Sequence, residues 1–316
     1  MIAPKYIKLG SFWISAWTEY LKNHDSKSLL LGLCPDLDRI SVEHLDRVVW
    51  LYERFFDDDR LHEKVAIDQQ YAWCSEDMRK APLFEQFKAQ TMPAIMAKYN
   101  LPQGINSYLF FNKYCLDEVD ADISSRIDGK TIVDGGAFVG DSAVMFCDSY
   151  APENILAFEP AHATFEMLKQ VAEKSNLGDK IIPVFKGLGD SPDSMCLRNT
   201  GADVVNPGAT FSTCMDNMSA VGDEIEISTI DAEVSAGNYQ VGLIKLDIEG
   251  FEKKAIEGAL ETIKRDKPVL VISLYHNPVD FFEIKPLLES LDLGYKFMAR
   301  RAEAMIPLGD IILIAY

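Results

Sequence analysis

The spacing of apolar residues divides the chain into two parts. In the first part, apolar residues recur every three or four positions, as they do on one face of a helix. One such set is Leu45, Val48, Val49, Leu51, Tyr52 and Phe55, and a second is Phe84, Phe87, Ala94, Ile95 and Tyr99. The turn sequence Leu101-Pro102-Gln103-Gly104 follows. The pattern therefore predicts a helical N-terminal domain over residues 1–104.

From residue 131 onward, short apolar runs alternate with helical stretches, which is typical of a parallel sheet with crossover helices. The predicted strands are Thr131–Val133, Ile155–Phe158, Ile181–Phe185, Val241–Leu246, Val269–Leu274, Tyr295–Met298 and Ile311–Tyr316. One helix is predicted from about Asp141 to Tyr150, and another with Pro160 as its first residue. The irregular region Ser191–Ile230 is expected to hold extra strands or loops. Residues 105–316 are thus predicted to form an α/β domain.

Composition and charge narrow the class of protein. The 48% hydrophobic and 25% charged residues of this 316-residue chain are ordinary for a globular protein. A net charge of -18 repels a phosphate backbone, so we expect no nucleic-acid partner. With neither a run of 18 apolar residues nor a signal peptide, we expect no membrane span and a cytoplasmic location. The six cysteines form no C-x-x-C pair and are expected to be reduced: Cys34, Cys74, Cys115, Cys147, Cys196 and Cys214.

The segment Ile132–Ser142 joins an apolar run to a glycine-rich turn and a helix start. Gly136 allows the backbone to approach a ligand closely, and Asp134 can meet an ammonium group directly or through water. The helix that begins near Asp141 offers free N–H groups that can hold a carboxylate. A plain tight turn has the same appearance. The nicotinamide fingerprint G-x-G-x-x-G does not match, because Ala137 takes the place of its middle glycine.

Two further acids follow predicted strands. Glu159 comes 19 residues after Gly140, a position that faces the ribose in nucleotide-binding βαβ units. A carboxylate there can accept hydrogen bonds from two adjacent hydroxyls, although a helix-capping glutamate is the alternative. Asp190, in the stretch Gly187-Leu188-Gly189-Asp190, either contacts an adenine edge or closes a turn.

The stretch Leu243–Glu252 places charges at the end of a strand that should be buried. Alternation puts Lys245, Asp247 and Glu249 on one side of the chain. Ligands of open α/β sheets bind beyond the carboxyl ends of the strands, so these residues are candidates for a binding site. The alternative is structural: an internally satisfied ion pair and, separately, a glutamate at a helix N-terminus.

Taken together, these stretches resemble the FkbM-type methyltransferases, a branch of the class I S-adenosylmethionine enzymes. The matching segments are Val133–Ser142, Ala157–Pro160, Ser228–Asp231, Ile244–Gly250, Leu274–Asp280, Gly294–Tyr295 and Ile311–Tyr316. They cover roughly residues 130–316, and the Lys-x-Asp-x-Glu-Gly stretch is the most specific of them. The first hundred residues are not part of this resemblance and are expected to cap the site or to select the substrate.

The resemblance implies a Rossmann-like class I fold of seven strands with the last antiparallel. It also implies S-adenosylmethionine as cofactor and O-methylation of a small-molecule or glycan acceptor: a sugar, lipid or natural product. Asp134, Gly136 and Gly140 would hold the methionine end, Glu159 the ribose, and Asp247 would lie near the sulfonium. The full set of expected cofactor contacts is Asp134, Gly135, Gly136, Ala137, Phe138, Gly140, Asp141, Ser142, Glu159, Pro160, Asp190 and Asp247. Many class I enzymes carry glycine or asparagine in place of Phe138.

Transfer to a hydroxyl requires a group that accepts the departing proton. His276 follows the predicted strand Val269–Leu274 at the same sheet edge as Asp247, and either residue is a candidate catalytic base. A hydrogen-bonded loop histidine is the alternative for His276. Asp247, Glu249 and Asp231 could instead hold a divalent metal, although we expect none.

Two other functions fit parts of this pattern. One is a nicotinamide-dependent oxidoreductase on a similar sheet, which the broken fingerprint disfavours. The other is a catalytically inactive methyltransferase-like binding module whose helical part contacts a partner. The residues do not identify the methyl acceptor or the oligomeric state.

Overall fold

Helices occupy the chain ahead of the first strand. The computed structural model describes residues 11–55, 75–119, 122–198, 210–212, 223–302 and 311–316. Its early helices span Ser11–Asn23, Ser26–Leu33, Arg39–Phe55, Ser75–Gln90, Met92–Tyr99, Ser107–Asn112 and Ile123–Ile127, with a 3-10 segment at Lys113–Glu118. The helix Arg39–Phe55 buries Leu45, Val48 and Tyr52 on one face. The helical character predicted for this part is confirmed where it is described.

Among the described residues, seven strands form one sheet. They are β1 Thr131–Gly135, β2 Ile155–Phe158, β3 Ile181–Val184, β8 Val241–Leu246, β9 Val269–Ser273, β10 Phe297–Arg301 and β11 Ile311–Ala315. Their order is β3-β2-β1-β8-β9-β11-β10. The first five in this order are parallel, whereas β11 runs antiparallel to both of its neighbours. The predicted Rossmann-like sheet with an antiparallel last strand is confirmed.

Crossover helices connect the strands. They span Asp141–Ser149, His162–Lys174, Ile230–Gly237, Glu252–Glu257, Leu260–Asp266 and Pro278–Ser290. The helix after β2 begins at His162 with Ala161 as its N-cap, so the prediction that it begins at Pro160 is wrong. The reason is local, because the Glu159 carboxylate accepts the Ala161 N–H at 2.9 Å and the helix begins two residues later than predicted.

A smaller sheet lies between β3 and the helix Ile230–Gly237. The described strands are β4 Gly187–Leu188, β5 Asp193–Arg198, β6 Thr210–Ser212 and β7 Asp223–Ser228, in the order β4-β7-β5-β6. Extra strands were expected in this region and are present, while residues 199–209 and 213–222 lie outside the described ranges. Buried Met195, Ile225 and Ile227 pack against Ala161 and Phe251, which places the small sheet beside the turn that follows β8.

Each face of the large sheet is covered by its own apolar cluster. On one face, Val133 and Ile244 belong to a cluster that also contains Trp17, Leu45 and Phe281. The opposite face packs on a second cluster, built from the helices that flank β1. The first helices therefore share a core with the sheet, and the predicted division at residue 104 stays a prediction.

The described residues bear on two further predictions, the absence of a membrane-spanning helix and the reduced state of the cysteines. No helix within the described ranges is both long and apolar enough to cross a membrane. Cys34, Cys115 and Cys147 are free thiols, as expected. Cys74 and Cys214 lie outside the described residues.

Candidate active site

The turn after β1 is held by the ends of both neighbouring strands. Gly136 and Ala137 donate their N–H groups to the Phe158 carbonyl at 3.0 and 2.9 Å. Gly136 has φ +72°, and a Cβ atom there would lie 1.9 Å from the backbone oxygen of Asp247. Glycine is thus required by the approach of the β8 turn, whereas the sequence suggested the approach of a ligand.

A buried ion pair lies beneath this turn. Lys245 Nζ is 3.1 Å from Asp134 Oδ1, with side chains 2% and 0% exposed. It also donates to the carbonyls of Gly135 and Gly136 at 3.0 and 2.7 Å, and Ser142 Oγ donates to Asp134 Oδ2 at 2.6 Å. Burial alone would lower the pKa of Lys245, but Asp134 and nearby acids outweigh it and raise that pKa. The ammonium group that Asp134 meets is therefore that of Lys245.

Glu159 is buried between the β1 turn and the helix His162–Lys174. Its Oε2 accepts the Phe138 N–H at 2.9 Å, and its Oε1 accepts the Ala161 N–H and the Thr164 hydroxyl at 2.9 and 2.8 Å. A carboxylate has about four acceptor positions, so one remains for a ligand at Oε2. Burial raises the pKa of Glu159 despite these donors.

The helix that follows the turn begins with a carboxylate of its own. Asp141 Oδ1 accepts the Ser142 N–H at 3.0 Å, and Oδ2 lies 3.4 Å from the Asn106 N–H. One of the N–H groups expected to be free is thus already bonded. Phe138 is half-buried, with φ +49°, and Gly140 caps the helix with φ +91°.

Asp247 is the accessible acid at the end of β8, with a side chain 32% exposed. Its Oδ1 accepts the Tyr275 hydroxyl at 3.0 Å. Burial alone would raise the pKa of Asp247, but the cations of Lys245 and His276 outweigh it and lower that pKa. Asp247 is therefore ionised at neutral pH, and part of its side chain reaches solvent.

His276 lies behind Asp247 and is almost fully buried. Its Nδ1 is 2.8 Å from Glu252 Oε1, and its Nε2 is 3.5 Å from Asp247 Oδ1 and 3.7 Å from Glu249 Oε2. Burial alone would lower the pKa of His276, but Glu252, Glu249 and Asp247 raise it to about 10. The ring is therefore protonated on both nitrogens and positively charged at neutral pH.

The acids that could hold a metal are largely occupied by protein donors. Donor atoms of Asp247, Glu252 and His276 lie within 4.8 Å of one another. However, Glu252 accepts the N–H groups of Ile248 and Gly250 at 2.7 and 3.0 Å. Asp231, another of the three possible ligands named from the sequence, accepts the N–H groups of Glu261 and Thr262 at 3.0 and 2.7 Å and caps a helix.

Negative charge exceeds positive charge at this edge of the sheet. Lys245 and His276 are the cations of the cluster described above, against its carboxylates Asp134, Asp141, Glu159, Asp247 and Glu252; Glu249 beside them is mostly protonated at neutral pH. Burial and the neighbouring acids raise the pKa of Glu249 to about 8, although His276 opposes the shift. A bound cation would offset this excess charge.

The structure brings together most of the predicted site residues. The turn Asp134–Gly140, the Glu159 carboxylate and Asp247 meet through the contacts above, and His276 lies directly behind Asp247. Asp190 is exposed in the turn between β4 and β5, two strands of the smaller sheet. Tyr275 and Glu252 were not predicted from the sequence, because a tyrosine after a strand and a glutamate at a helix start are common structural features.

The chain is similar to known proteins in both sequence and fold. The model of the family described as Methyltransferase FkbM domain matches residues 134–297, just over half of the chain. Methyltransferase FkbM from Methylobacillus flagellatus KT has a similar fold, with TM-score 0.59 and 18% sequence identity over 95% of this chain. The chain spans 61% of that protein's length. An O-methyltransferase from Bacillus cereus in complex with SAH matches with TM-score 0.36 and 10% identity, over 71% of this chain and 96% of that one. No curated protein matches the sequence.

Proposed function

Because the chain belongs to the FkbM methyltransferase family, we propose that it transfers a methyl group from S-adenosylmethionine to a hydroxyl of a sugar, lipid or natural product. Membership of the family confirms the resemblance found in the motifs. The cofactor, the oxygen acceptor and the residue roles are the proposal. The helices within residues 1–104 would cap the site or select the acceptor.

One observation carries the proposal: acids at the ends of the two parallel strands that flank β1 converge on the glycine turn after β1. Glu159, after β2, bonds the N–H of Phe138 in that turn, and the backbone of Asp247, after β8, touches Gly136. The carboxyl edge of a parallel sheet is where open α/β folds bind ligands. S-adenosylmethionine carries a sulfonium and an ammonium group, which suit the excess of carboxylates at this edge.

The roles of the cofactor residues follow from which of them are accessible. Glu159 Oε2 has an acceptor position left for a ribose hydroxyl, and Asp247 is placed to face the sulfonium. Asp134 is fully buried, so it would act by fixing the turn rather than by touching the methionine end. The half-buried residues Phe138 and Pro160 would line the adenosine, with Asp190 near the adenine edge.

Asp247 is the better placed of the two candidate bases. It is ionised and 32% exposed, whereas His276 is protonated and its side chain is 1% exposed. Asp247 would accept the hydroxyl proton as the oxygen attacks the methyl group, and His276 would hold it in place. Alignment of the oxygen with the S–CH3 bond, with water excluded, would supply most of the acceleration, on the order of 7–11 kcal/mol at best.

Calorimetry with S-adenosylhomocysteine and with NAD tests the cofactor. We expect the wild-type protein to bind S-adenosylhomocysteine and not NAD. Glu159→Gln should weaken that binding at least about tenfold, because a hydrogen bond to a charged group is worth about 1.5–3 kcal/mol. Glu153→Gln, an exposed glutamate ahead of β2, is the control. Binding of NAD alone would favour the oxidoreductase.

Transfer of a labelled methyl group to a panel of sugars, lipids and natural products tests the reaction. We expect product with at least one hydroxyl acceptor, a loss of about 10²–10⁴-fold in Asp247→Asn, and no effect of EDTA. Loss of activity with EDTA that magnesium restores would instead support the metal. Binding of S-adenosylhomocysteine without turnover on any acceptor would favour the inactive binding module.

A further inference from the structure

Two turns that carry the candidate base and its histidine meet at one buried carboxylate. Glu252, the first residue of its helix, is fully buried. Its Oε1 accepts the Ile248 N–H at 2.7 Å, and its Oε2 accepts the Gly250 N–H at 3.0 Å. His276 Nδ1 is 2.8 Å from the same Oε1. A single side chain thus connects the turn after β8 to the turn after β9.

The turn after β8 needs such support. Glu249 has φ +59° and Gly250 has φ +97°, so two successive residues are left-handed. The N–H groups that Glu252 accepts belong to the residues on either side of Glu249. Asn277 Nδ2 also donates to the Gly250 carbonyl at 3.2 Å. These bonds fix the conformation that directs Glu249 Oε2 towards His276.

The same carboxylate determines how His276 is oriented. Because an ionised Glu252 only accepts hydrogen bonds, Nδ1 of His276 must donate to it. The opposite ring nitrogen, Nε2, then faces Asp247 and Glu249. The carboxyl group of Asp280, in the helix Pro278–Ser290, is hydrogen-bonded to that of Glu252. Burial and the negative charge of Glu252 raise the pKa of Asp280 to about 8. Asp280 is therefore the protonated partner at neutral pH.

We propose that Glu252 is the positioning residue of this site. It touches neither cofactor nor acceptor, and it acts by holding the Asp247–Gly250 turn and by orienting the His276 ring behind Asp247. The role depends on the proposed methyl transfer for its purpose, but its geometry can be measured without an acceptor.

The test replaces Glu252 by glutamine and follows His276 by NMR of its ring nitrogens. The carboxylates facing His276 are those of Asp247, Glu249 and Glu252, with Asp280 behind the last. Removing the charge of Glu252 should lower the measured pKa of His276 by about 1–3 pH units. The amides of Ile248 and Gly250 should exchange with deuterium faster. Glu257→Gln, on the same helix and paired with Lys253 at 3.6 Å, should change neither.

The outcomes of the Glu252→Gln test can be distinguished from those that test the proposed function. An unchanged His276 pKa and unchanged amide exchange in Glu252→Gln would overturn the positioning role, whatever the protein methylates. Failure of the wild type to bind S-adenosylhomocysteine would overturn the proposed function alone. Should Glu252→Gln not fold, titration of the wild type decides: an ordinary His276 pKa, or a ring with its proton on Nε2 only, contradicts the proposal.

Once a methyl acceptor is identified, kinetics provide a second test of the positioning role. In Glu252→Gln, kcat should fall at least tenfold while KM for S-adenosylmethionine changes less than threefold, because Glu252 bonds Ile248, Gly250 and His276, whereas the proposed ribose contact, Glu159, bonds the turn after β1. Glu252→Asp keeps the charge one methylene shorter and should recover part of the loss. Equal losses in kcat and in S-adenosylhomocysteine affinity would instead indicate a collapsed pocket and would contradict the proposal.

Discussion

Gly136 is the residue at which the turns after β1 and β8 touch. Its positive φ disfavours any side chain, and a Cβ atom would lie 1.9 Å from the Asp247 backbone oxygen, which leaves no space for one. We expect Gly136→Ala to destabilise the protein by more than the ~1–2 kcal/mol of a left-handed alanine, and to weaken S-adenosylhomocysteine binding. Urea denaturation and calorimetry measure the two effects.

A substitution at Gly129 measures the cost of backbone strain without a steric clash. It has φ +71°, close to the value at Gly136, but no atom lies within 4 Å of its Cβ position. Gly129→Ala should therefore show the conformational cost alone and leave ligand binding unchanged. Equal destabilisation in the two variants would contradict the close contact between the turns.

The Lys245–Asp134 pair gives a second prediction at the residue scale. Lys245→Met would leave the Asp134 carboxylate buried without its cation, which costs about 3–5 kcal/mol. Adding Asp134→Asn should recover part of that loss, because the uncompensated charge disappears. Unfolding in urea measures both. Lys264→Met, at an exposed pair with Glu261, should stay within about 0.5 kcal/mol of wild type.

The sequence identified the acids of the site but not their partners. Asp134, Asp247 and Glu159 were found because acids at strand ends are unusual in a buried sheet. The pairing of Lys245 with Asp134 could not be read, because the two residues are 111 positions apart and only the register of β1 with β8 brings them together. The alternation rule also stops at Leu246, where β8 ends, so it could not place Glu249.

At the scale of elements, strands were predicted well where their residues are apolar. β2 and β8 have the predicted bounds, whereas β10 spans Phe297–Arg301 instead of Tyr295–Met298. The difference arises at Arg300, a charged residue that looks unsuitable for a buried strand. Its guanidinium bonds Asp38 at 2.7 Å and Glu118 at 2.6 Å. Asp38 precedes the helix Arg39–Phe55 and Glu118 ends the 3-10 segment, so both partners are distant in sequence and a local pattern does not show them.

The turn after β8 should make stability depend on pH. The folded pKa of Glu249, about 8, lies above its ordinary value of 4.5, chiefly because of burial. An acid with a raised folded pKa favours folding while it is protonated. The free energy of unfolding should therefore fall as pH rises from about 4.5 to 8. His276, with a folded pKa of about 10, adds a loss in the same direction between about 6.5 and 10.

Glu249→Gln isolates the first of these effects. Denaturation in urea at pH 5, 6.5, 8 and 9 should show the variant gaining stability relative to wild type up to pH 8. Above that pH the difference should level off. Glu257→Gln should run parallel to wild type at every pH. A constant difference between Glu249→Gln and wild type would mean that Glu249 ionises normally in the folded protein.

At the scale of the whole molecule, the first helices reach the candidate site. Trp17 is fully buried, stacks on Tyr52 with ring centroids 4.2 Å apart, and meets Phe281 edge-on at 5.0 Å. Its indole N–H lies 3.4 Å from the carbonyl of Tyr275, the residue whose hydroxyl bonds Asp247. Trp17, in the helix Ser11–Asn23, is thus linked to the candidate base Asp247 by two hydrogen bonds, both of which involve Tyr275.

Replacing Trp17 by phenylalanine tests this connection, because it removes the N–H donor and keeps an aromatic ring. We expect a loss of about 1 kcal/mol in unfolding free energy and faster deuterium exchange in the segment 274–278. Trp50→Phe, in the helix Arg39–Phe55 and packed against the same apolar cluster, should lose stability without faster exchange in that segment. If both variants alter exchange there equally, the effect comes from general loosening of the core. A response confined to Trp17→Phe would mean that the N-terminal helices hold the Tyr275 turn, and that methyl transfer should weaken when those helices are disturbed.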